Sequence, residues 1–269
     1  SHFLGQNFAK SANIKFQSSQ GTQEYAYTTS WGVSTRLIGG LIMTHGDDEG
    51  MVVPPVVAPH QIVIVPLLKD KSKIDAVMSY AQKLKSALSS ASFKGERVRV
   101  KLDDRQKESV DKMWEWTRKG APLVIEVGPR DIENNALMVR DRTKINLKEW
   151  KEIVPFDDFV SSVTERLATI QNTLLKQAED RLNKNIRNDI KTPEEFEKYF
   201  SNSNVFIEGD KPSVAFVRGK WSGDNDIAEK LKSMKINIRC IPFDQSGTEG
   251  TCLITGKPGT VDVIYARSY

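Results

Sequence analysis

The sequence predicts a multidomain chain of α/β and α+β class, and three observations carry that prediction. Between residues 61 and 152, β-branched apolar runs alternate with segments of helical spacing. That βαβαβ order builds a mixed sheet with helices packed on it. Residues 155–190 hold one long amphipathic pattern, the signature of a single helix packed on one side. After Thr192, further β-rich runs surround one helical segment, which suits a small α/β module. A length of 269 residues allows about two domains.

In chain order, Lys15 to Gln17 and Glu24 to Thr29 read as strands around a Ser-Ser-Gln-Gly turn at 18–21. Ser34 and Thr35 precede a helix from Arg36 to His45, with Gly46 as its stop. Gly39 and Gly40 weaken that helix by roughly 1 kcal/mol each relative to alanine, so they imply close packing against a strand or a substrate. Met51 to Val53 reads as a short buried strand.

In the second region, Gln61 to Leu67 is a buried strand and Ile74 to Ser89 a helix with Ile74, Val77, Met78, Ala81, Leu84 and Leu88 on one face. Arg97 to Leu102 alternates as a strand, Glu108 to Lys119 reads as a helix ending at Gly120, and Pro122 to Val127 and Ala136 to Arg140 are strands. The long helix of 155–190 carries Phe159, Val163, Leu167, Ile170, Leu174, Ala178, Leu182 and Ile186, with a charged opposite face, and is expected to be a connector. Thr192-Pro193-Glu194-Glu195 is a helix start with Thr192 as N-cap and Glu195 closing a capping box. Val205–Ile207, Val214–Val217, Ile236–Ile241 and Val261–Ala266 read as strands of the last module, and Asp226 to Met234 as its helix.

The composition is ordinary for a soluble protein, 39% hydrophobic and 28% charged. No apolar run approaches the ~20 residues that span a bilayer. A net charge of +4 is compatible with a polyanionic partner without demonstrating one. The two cysteines, Cys240 and Cys252, are too few for a disulfide scaffold and suit a reducing, cytoplasmic setting. No Walker loop, GxGxxG or Ser-His-Asp pattern is present. His45 and His60 read as structural or exposed.

Two places can carry chemistry. Arg36 sits at a helix start, where a guanidinium and free backbone N–H groups favour a phosphate; an ion pair to Asp47 or Asp48 is the structural alternative. The run Lys119-Gly120-Ala121-Pro122-Leu123-Val124-Ile125-Glu126-Val127-Gly128-Pro129-Arg130-Asp131 reads as helix end, strand, then a Gly-Pro turn. Arg130 there can take a phosphate or a guanine edge, and Glu126 or Asp131 can accept from base amino groups.

These stretches also resemble a family. Ser30 to Pro59, with its SWG, STR, HGDD, G-x-V-x-PP and VAP segments, resembles the third motif of class II aminoacyl-tRNA synthetases in the form used by prolyl-tRNA synthetases. The opening Ser1-His2-Phe3-Leu4-Gly5-Gln6-Asn7-Phe8 is similar to that family's TSHxLGQNF segment. Trp221-Ser222-Gly223-Asp224, Arg239-Cys240-Ile241-Pro242-Phe243-Asp244, Gly256-Lys257-Pro258 and the ending Ala266-Arg267-Ser268-Tyr269 resemble the extra domain of its eukaryote and archaeal type. The resemblance implies the end of an antiparallel class II catalytic domain over 1–60, an anticodon-binding domain over 61–152, and a connector with a C-terminal domain over 153–269.

By the same resemblance, Ser34 and Arg36 would bind ATP, with Arg36 in the catalytic role, and His2, Trp31 and Gly32 would line the proline site. Lys119, Glu126, Arg130 and Asp131 would contact the anticodon. The family commonly has an acidic residue at position 117 and an arginine at 124; Thr117 and Val124 stand there instead and put anticodon reading in question. Zinc-binding members carry four cysteines where this chain has Ser222, Ile227, Cys252 and Thr255, so no zinc is expected; Cys240 is expected to be buried. The implied reaction is ATP-dependent activation of proline with Mg²⁺, then transfer to tRNA(Pro), in a homodimer with no membrane contact. Since no second-motif arginine loop precedes Ser1, the chain alone is expected to be incomplete for catalysis. The competing expectation is a non-catalytic, synthetase-derived tRNA-binding module.

Overall fold

In the computed structural model, which describes residues 1–201, 216–224 and 227–267, the chain forms two units, Ser1–Leu174 and Leu175–Tyr269. The first begins with small antiparallel pairs. Strand β1 (His2–Gly5) leads into helix α1 (Asn7–Ser11), and β2 (Lys15–Gln17) pairs with β3 (Gln23–Tyr25). The run expected as one strand from Glu24 is divided, because β4 (Thr28–Ser30) leaves that hairpin to pair with β1. Helix α2 (Arg36–His45) has the predicted limits. Gly39 and Gly40 pack against no strand within this chain: a Cβ at either would meet nothing within 4 Å. The reason is that α2 buries no residue, and Leu37, Ile38, Ile42 and Met43 face solvent.

Met51 to Val53 forms no strand, another correction, although Val52 and Val53 are buried. The Met51 and Val53 N–H groups donate to the Arg118 and Gly120 carbonyls at 2.9 and 3.2 Å, pairing with a turn rather than with a sheet. Gly120, at φ +76°, makes this approach possible: a Cβ there would lie 2.7 Å from the Met51 oxygen. Gly120→Ala combines strained backbone with a steric clash, so it is expected to cost about 1–3 kcal/mol. A urea midpoint equal to that of the parent would contradict this close docking.

The main sheet runs β11-β10-β9-β5-β8. Its parallel centre is β5 (Ile62–Pro66), between β8 (Val100–Leu102) and β9 (Leu123–Val127). Helix α3 (Ile74–Ser89) lies exactly where the spacing places it. The strand expected over Arg97–Leu102 is broken: β6 (Ser92–Phe93) and β7 (Glu96–Arg97) make a tiny hairpin, and pairing with β5 resumes only at Val100. Helix α4 (Ser109–Arg118) covers the other face of the sheet, where Met113 meets Val63, Val65 and Val124.

The Gly-Pro turn after β9 is a short helix, α5 (Pro129–Glu133), with the Asp131 carboxylate accepting from the Gly128 N–H at 2.7 Å. Strands β10 (Ala136–Asp141) and β11 (Lys151–Pro155) finish the sheet in antiparallel register. Helix α6 (Phe156–Lys184) follows; its buried side chains, from Phe156 to Leu174, join the core formed by β5, β9, β10 and α3. Its later apolar residues Leu175 and Leu182 are exposed.

The second unit has the sheet order β12-β13-β17-β14, from β12 (Ile186–Arg187), β13 (Phe216–Trp221), β14 (Ile236–Cys240) and β17 (Val261–Arg267). Between β14 and β17 lies a short pair, β15 (Gly250–Thr251) with β16 (Pro258–Gly259). Helix α7 (Pro193–Ser201) opens with the predicted capping box: Thr192 Oγ1 accepts from the Glu195 N–H, and the Glu195 carboxylate accepts from the Thr192 N–H, each at 3.2 Å. Helix α8 (Ala228–Ser233) matches the described part of the predicted one. The strand expected at Val205–Ile207, the start of the one at Val214, and Ser268 and Tyr269 lie outside the described residues. Cys240 is exposed, against expectation, because β14 is an edge strand whose register shifts between Ile238 and Cys240.

Candidate functional site

Strand pairing brings one residue assigned to proline beside the segment that carries the others. Antiparallel pairing sets His2 opposite Ser30, so His2 lies beside the strand that runs into Trp31 and Gly32. Four residues later α2 starts at Arg36, with the Leu37 N–H donating to the Ser34 carbonyl at 3.1 Å. Thr35 makes no side-chain cap, which leaves the positive end of the helix open to an anion. The ion pair to Asp47 is not formed. Asp47 is held by Arg142, through contacts of 2.8 and 2.5 Å from its two terminal nitrogens. Arg142 itself is buried and also donates to the Thr117 carbonyl at 3.0 Å. This pairing holds the Asp47 carboxyl below its ordinary range, the hydrogen bond from Arg142 outweighing the opposing effect of burial.

The surface around these residues is unusually apolar. Trp31 is 83% exposed, and Phe3, Phe8, Tyr27, Val33 and Met43 are also open to solvent. Within residues 1–45 only Ala9 is buried. Within this set Phe3 stacks on Tyr27, with ring centroids 6.0 Å apart.

The residues assigned to the anticodon are divided between two places. Lys119 precedes β9, whereas Arg130 and Asp131 follow its carboxyl end. Glu126 accepts from Arg140 at 2.7 Å, and the Arg140 guanidinium lies 4.9 Å from the Trp150 ring centroid. Arg140 pairs across the ladder with Val124, so a buried arginine stands beside the position where the usual family arginine is missing. Burial raises the Asp131 carboxyl, opposed by the Gly128 N–H and assisted by the nearby Glu126 charge.

Around Lys119 the structure builds a network on the charged run Leu102-Asp103-Asp104-Arg105. The Asp103 side chain is fully buried, and accepts from Arg105 at 2.7 and 2.8 Å and from the Trp116 indole at 2.7 Å. Lys112, also buried, donates to the Asp103 and Arg105 carbonyls at 3.1 and 3.2 Å. Glu115 accepts from Arg105, Lys107 and Lys119, which together pull its carboxyl down to about 2. His60 meets Trp116 edge-on at 5.6 Å. The legible signal was the spacing of Trp114, Trp116 and Lys119 along one helix, an interleaving of aromatic and basic residues.

In the second unit, Cys252 is buried in one core with Ile227. Burial pushes its thiol up, but hydrogen bonds from Thr255 and nearby backbone N–H groups outweigh that and bring it to about 7. Of the four positions set against a zinc site by resemblance, Ser222, Ile227 and Thr255 offer no thiolate. Among the described residues no group of three or more His, Cys, Asp and Glu side chains is placed to hold a metal ion.

Comparison with known proteins agrees with both units. Residues 61–166 match the family model described as anticodon binding domain, and residues 211–269 match the one described as prolyl-tRNA synthetase, C-terminal. The proline–tRNA ligase of Protochlamydia amoebophila is 44% identical over 273 residues, covering 100% of this chain and 52% of the relative. That of Paramagnetospirillum magneticum is 44% identical over 270 residues with the same coverage. A crystal structure of prolyl-tRNA synthetase from Cryptosporidium parvum, complexed with L-proline and AMP, aligns with a TM-score of 0.80 at 34% identity, covering 100% of this chain and 54% of that one. The chain therefore spans about half the length of the relatives it matches, and over its whole length it is similar to proline–tRNA ligases.

Proposed function

We propose that this chain is the C-terminal part of a proline–tRNA ligase, which activates proline with ATP and Mg²⁺ and transfers it to tRNA(Pro). The observation that carries the reading is the joining of two motifs far apart in sequence: β1 and β4 bring His2 to the strand that leads to Trp31 and, beyond it, to Arg36. A relative crystallised with L-proline and AMP shares this fold at 34% identity. In the proposed mechanism Arg36 neutralises charge on the ATP phosphates as the proline carboxylate attacks the α-phosphate and the bond to the β-phosphate breaks, giving prolyl-adenylate and pyrophosphate. Ser34 lies against the nucleotide, and His2, Trp31 and Gly32 hold proline. Catalysis is then mainly positioning and electrostatic stabilisation, with no covalent enzyme intermediate.

On this reading the exposed apolar residues of 1–45 are the face on which the rest of a class II catalytic domain packs. That packing also explains Gly39 and Gly40, whose open side would meet the remainder of the active site. Arg130, with Asp131, Glu126 and Lys119, would engage the anticodon of tRNA(Pro). A homodimer working in the cytoplasm completes the proposal.

The test is proline-dependent exchange of pyrophosphate into ATP by the full-length protein, followed by charging of tRNA(Pro). Exchange that depends on proline and on no other amino acid is expected. The non-catalytic tRNA-binding module would show tRNA binding with no exchange, and that result would replace the ligase reading.

A further inference from the structure

Residues 54–60, Pro-Pro-Val-Val-Ala-Pro-His, run from the segment that carries Arg36 into the anticodon-binding domain. A free run this rich in proline is a semi-rigid spacer. Here it is held far more firmly. The Pro54 carbonyl accepts from the Val57 and Ala58 N–H groups, each at 3.0 Å, so the run closes into a turn. One guanidinium then fastens that turn to the domain. Arg99, between β7 and β8, donates from Nε to the Ala58 carbonyl at 2.9 Å. One of its terminal nitrogens donates to the Pro55 and Val56 carbonyls at 3.1 and 2.9 Å, and the other meets Glu96 at 2.7 Å.

Glutamines complete the grip. The buried Gln61 side chain donates to the Pro55 carbonyl at 3.0 Å and accepts from the Arg99 N–H at 2.9 Å. Gln171, on α6, accepts from the Val56 N–H at 3.0 Å. A second clamp lies beside the end of α2. Asp47 sits in a turn closed by reciprocal backbone bonds with Gly50 at 3.0 Å. Its carboxylate takes both terminal nitrogens of Arg142, whose Nε reaches the Thr117 carbonyl at the end of α4. Neither Arg99 nor Arg142 is among the residues proposed to meet proline, ATP or tRNA. A rigid guanidinium fork spread over several acceptors fixes direction as well as distance, and the point charge of a lysine does not reproduce it.

We propose that Arg99 and the Arg142–Asp47 pair are positioning residues: they set the angle between the Arg36 segment and the anticodon-binding domain, so that one tRNA meets both at once. This inference rests on the proposed ligase function. The two steps of that reaction differ in what they need. Activation of proline involves no tRNA and is indifferent to the angle. Transfer requires the tRNA acceptor end at the active site while its anticodon is held elsewhere on the chain. Binding energy from that remote contact orients the reacting end, and a displacement of ~1 Å there can cost ~10²-fold in rate.

The test uses the full-length protein carrying Arg99→Ala, Arg99→Lys or Asp47→Asn. Each variant is expected to keep proline-dependent pyrophosphate exchange within about twofold of the parent and to lose about tenfold or more in kcat/KM for tRNA(Pro) charging. Arg99→Lys keeps the charge, so its failure to restore charging separates positioning from a direct phosphate contact. Asp47→Asn removes no cation at all. Amide hydrogen exchange read by mass spectrometry should also quicken at Val56 to Ala58 in both Arg99 variants, while α3 stays protected. The proposal is overturned if charging stays at the parent level, if pyrophosphate exchange and charging fall together, or if Arg99→Lys restores charging. Unaltered amide exchange at Val56 to Ala58 overturns the clamp alone, whereas a parent with no proline-dependent pyrophosphate exchange overturns the ligase reading.

Discussion

Replacing Arg36 with alanine in the full-length protein is expected to lower proline-dependent ATP–pyrophosphate exchange by ~10²-fold or more, the scale of removing one positioned electrostatic donor. The structure sharpens this expectation in two ways. Asp47, one of the two acids named as an alternative partner of Arg36, is bound by Arg142 instead. Arg36 is exposed, in a helix that buries no residue within this chain, so the substitution should leave the thermal unfolding of the 269-residue chain unchanged. A loss of exchange with unchanged unfolding would place the effect in the reaction. If the contact forms mainly as charge develops on the phosphates, kcat falls more than KM rises. A near-normal rate would return Arg36 to a structural role.

How much of this was legible in the sequence differs with the physics of each element. Helices α2, α3 and the capping box of α7 were readable because local rules fix them: a Gly stop, a 3.6-residue apolar stripe, and reciprocal side-chain bonds within four residues. The failures concern pairing with distant chain. Met51 to Val53 reads as a strand because it is apolar, but its partner is a turn ending in Gly120. Arg97 to Leu102 alternates throughout, yet the Arg99 guanidinium leaves the strand rhythm to bind the Ala58, Pro55 and Val56 carbonyls. The predicted site shows the same division. His2 and Arg36 were identified by motif, and strand pairing sets His2 opposite Ser30, six residues before Arg36. The burial of Asp103, Lys112 and Arg142 was not legible, even though Asp103 stands in a conspicuous charged run, since nothing in their neighbours' sequence announces that a charged side chain turns inward. The resemblance could name Lys119 but not reveal that Trp116 and His60 stand beside it.

Asp103 links this hidden network to stability. Asp103→Ala would leave the Trp116 indole N–H without its acceptor, remove one partner of Arg105, and take a carboxylate from beside the buried Lys112 ammonium. Removing one partner of a buried pair costs about 3–5 kcal/mol. Arg105 is 46% exposed and keeps Glu115, so a loss of about 3 kcal/mol is expected, read as a lower urea midpoint at unchanged slope. The pH dependence checks the same network independently. Burial alone would raise the Asp103 carboxyl, but hydrogen bonds from Arg105 and Trp116 outweigh it and hold the group well below the usual carboxylate range. The unfolded chain therefore takes up the proton first. The stabilisation is full above the ordinary aspartate value of about 4 and is lost as pH falls through the lower folded value. Asp103→Asn preserves the shape but cannot carry the charge, so its stability should lie below the parent at neutral pH and converge with it in acid. If the two unfolding curves remain parallel from neutral pH down to the acid transition, Asp103 is not the group that holds α4 and the Trp116 ring in place.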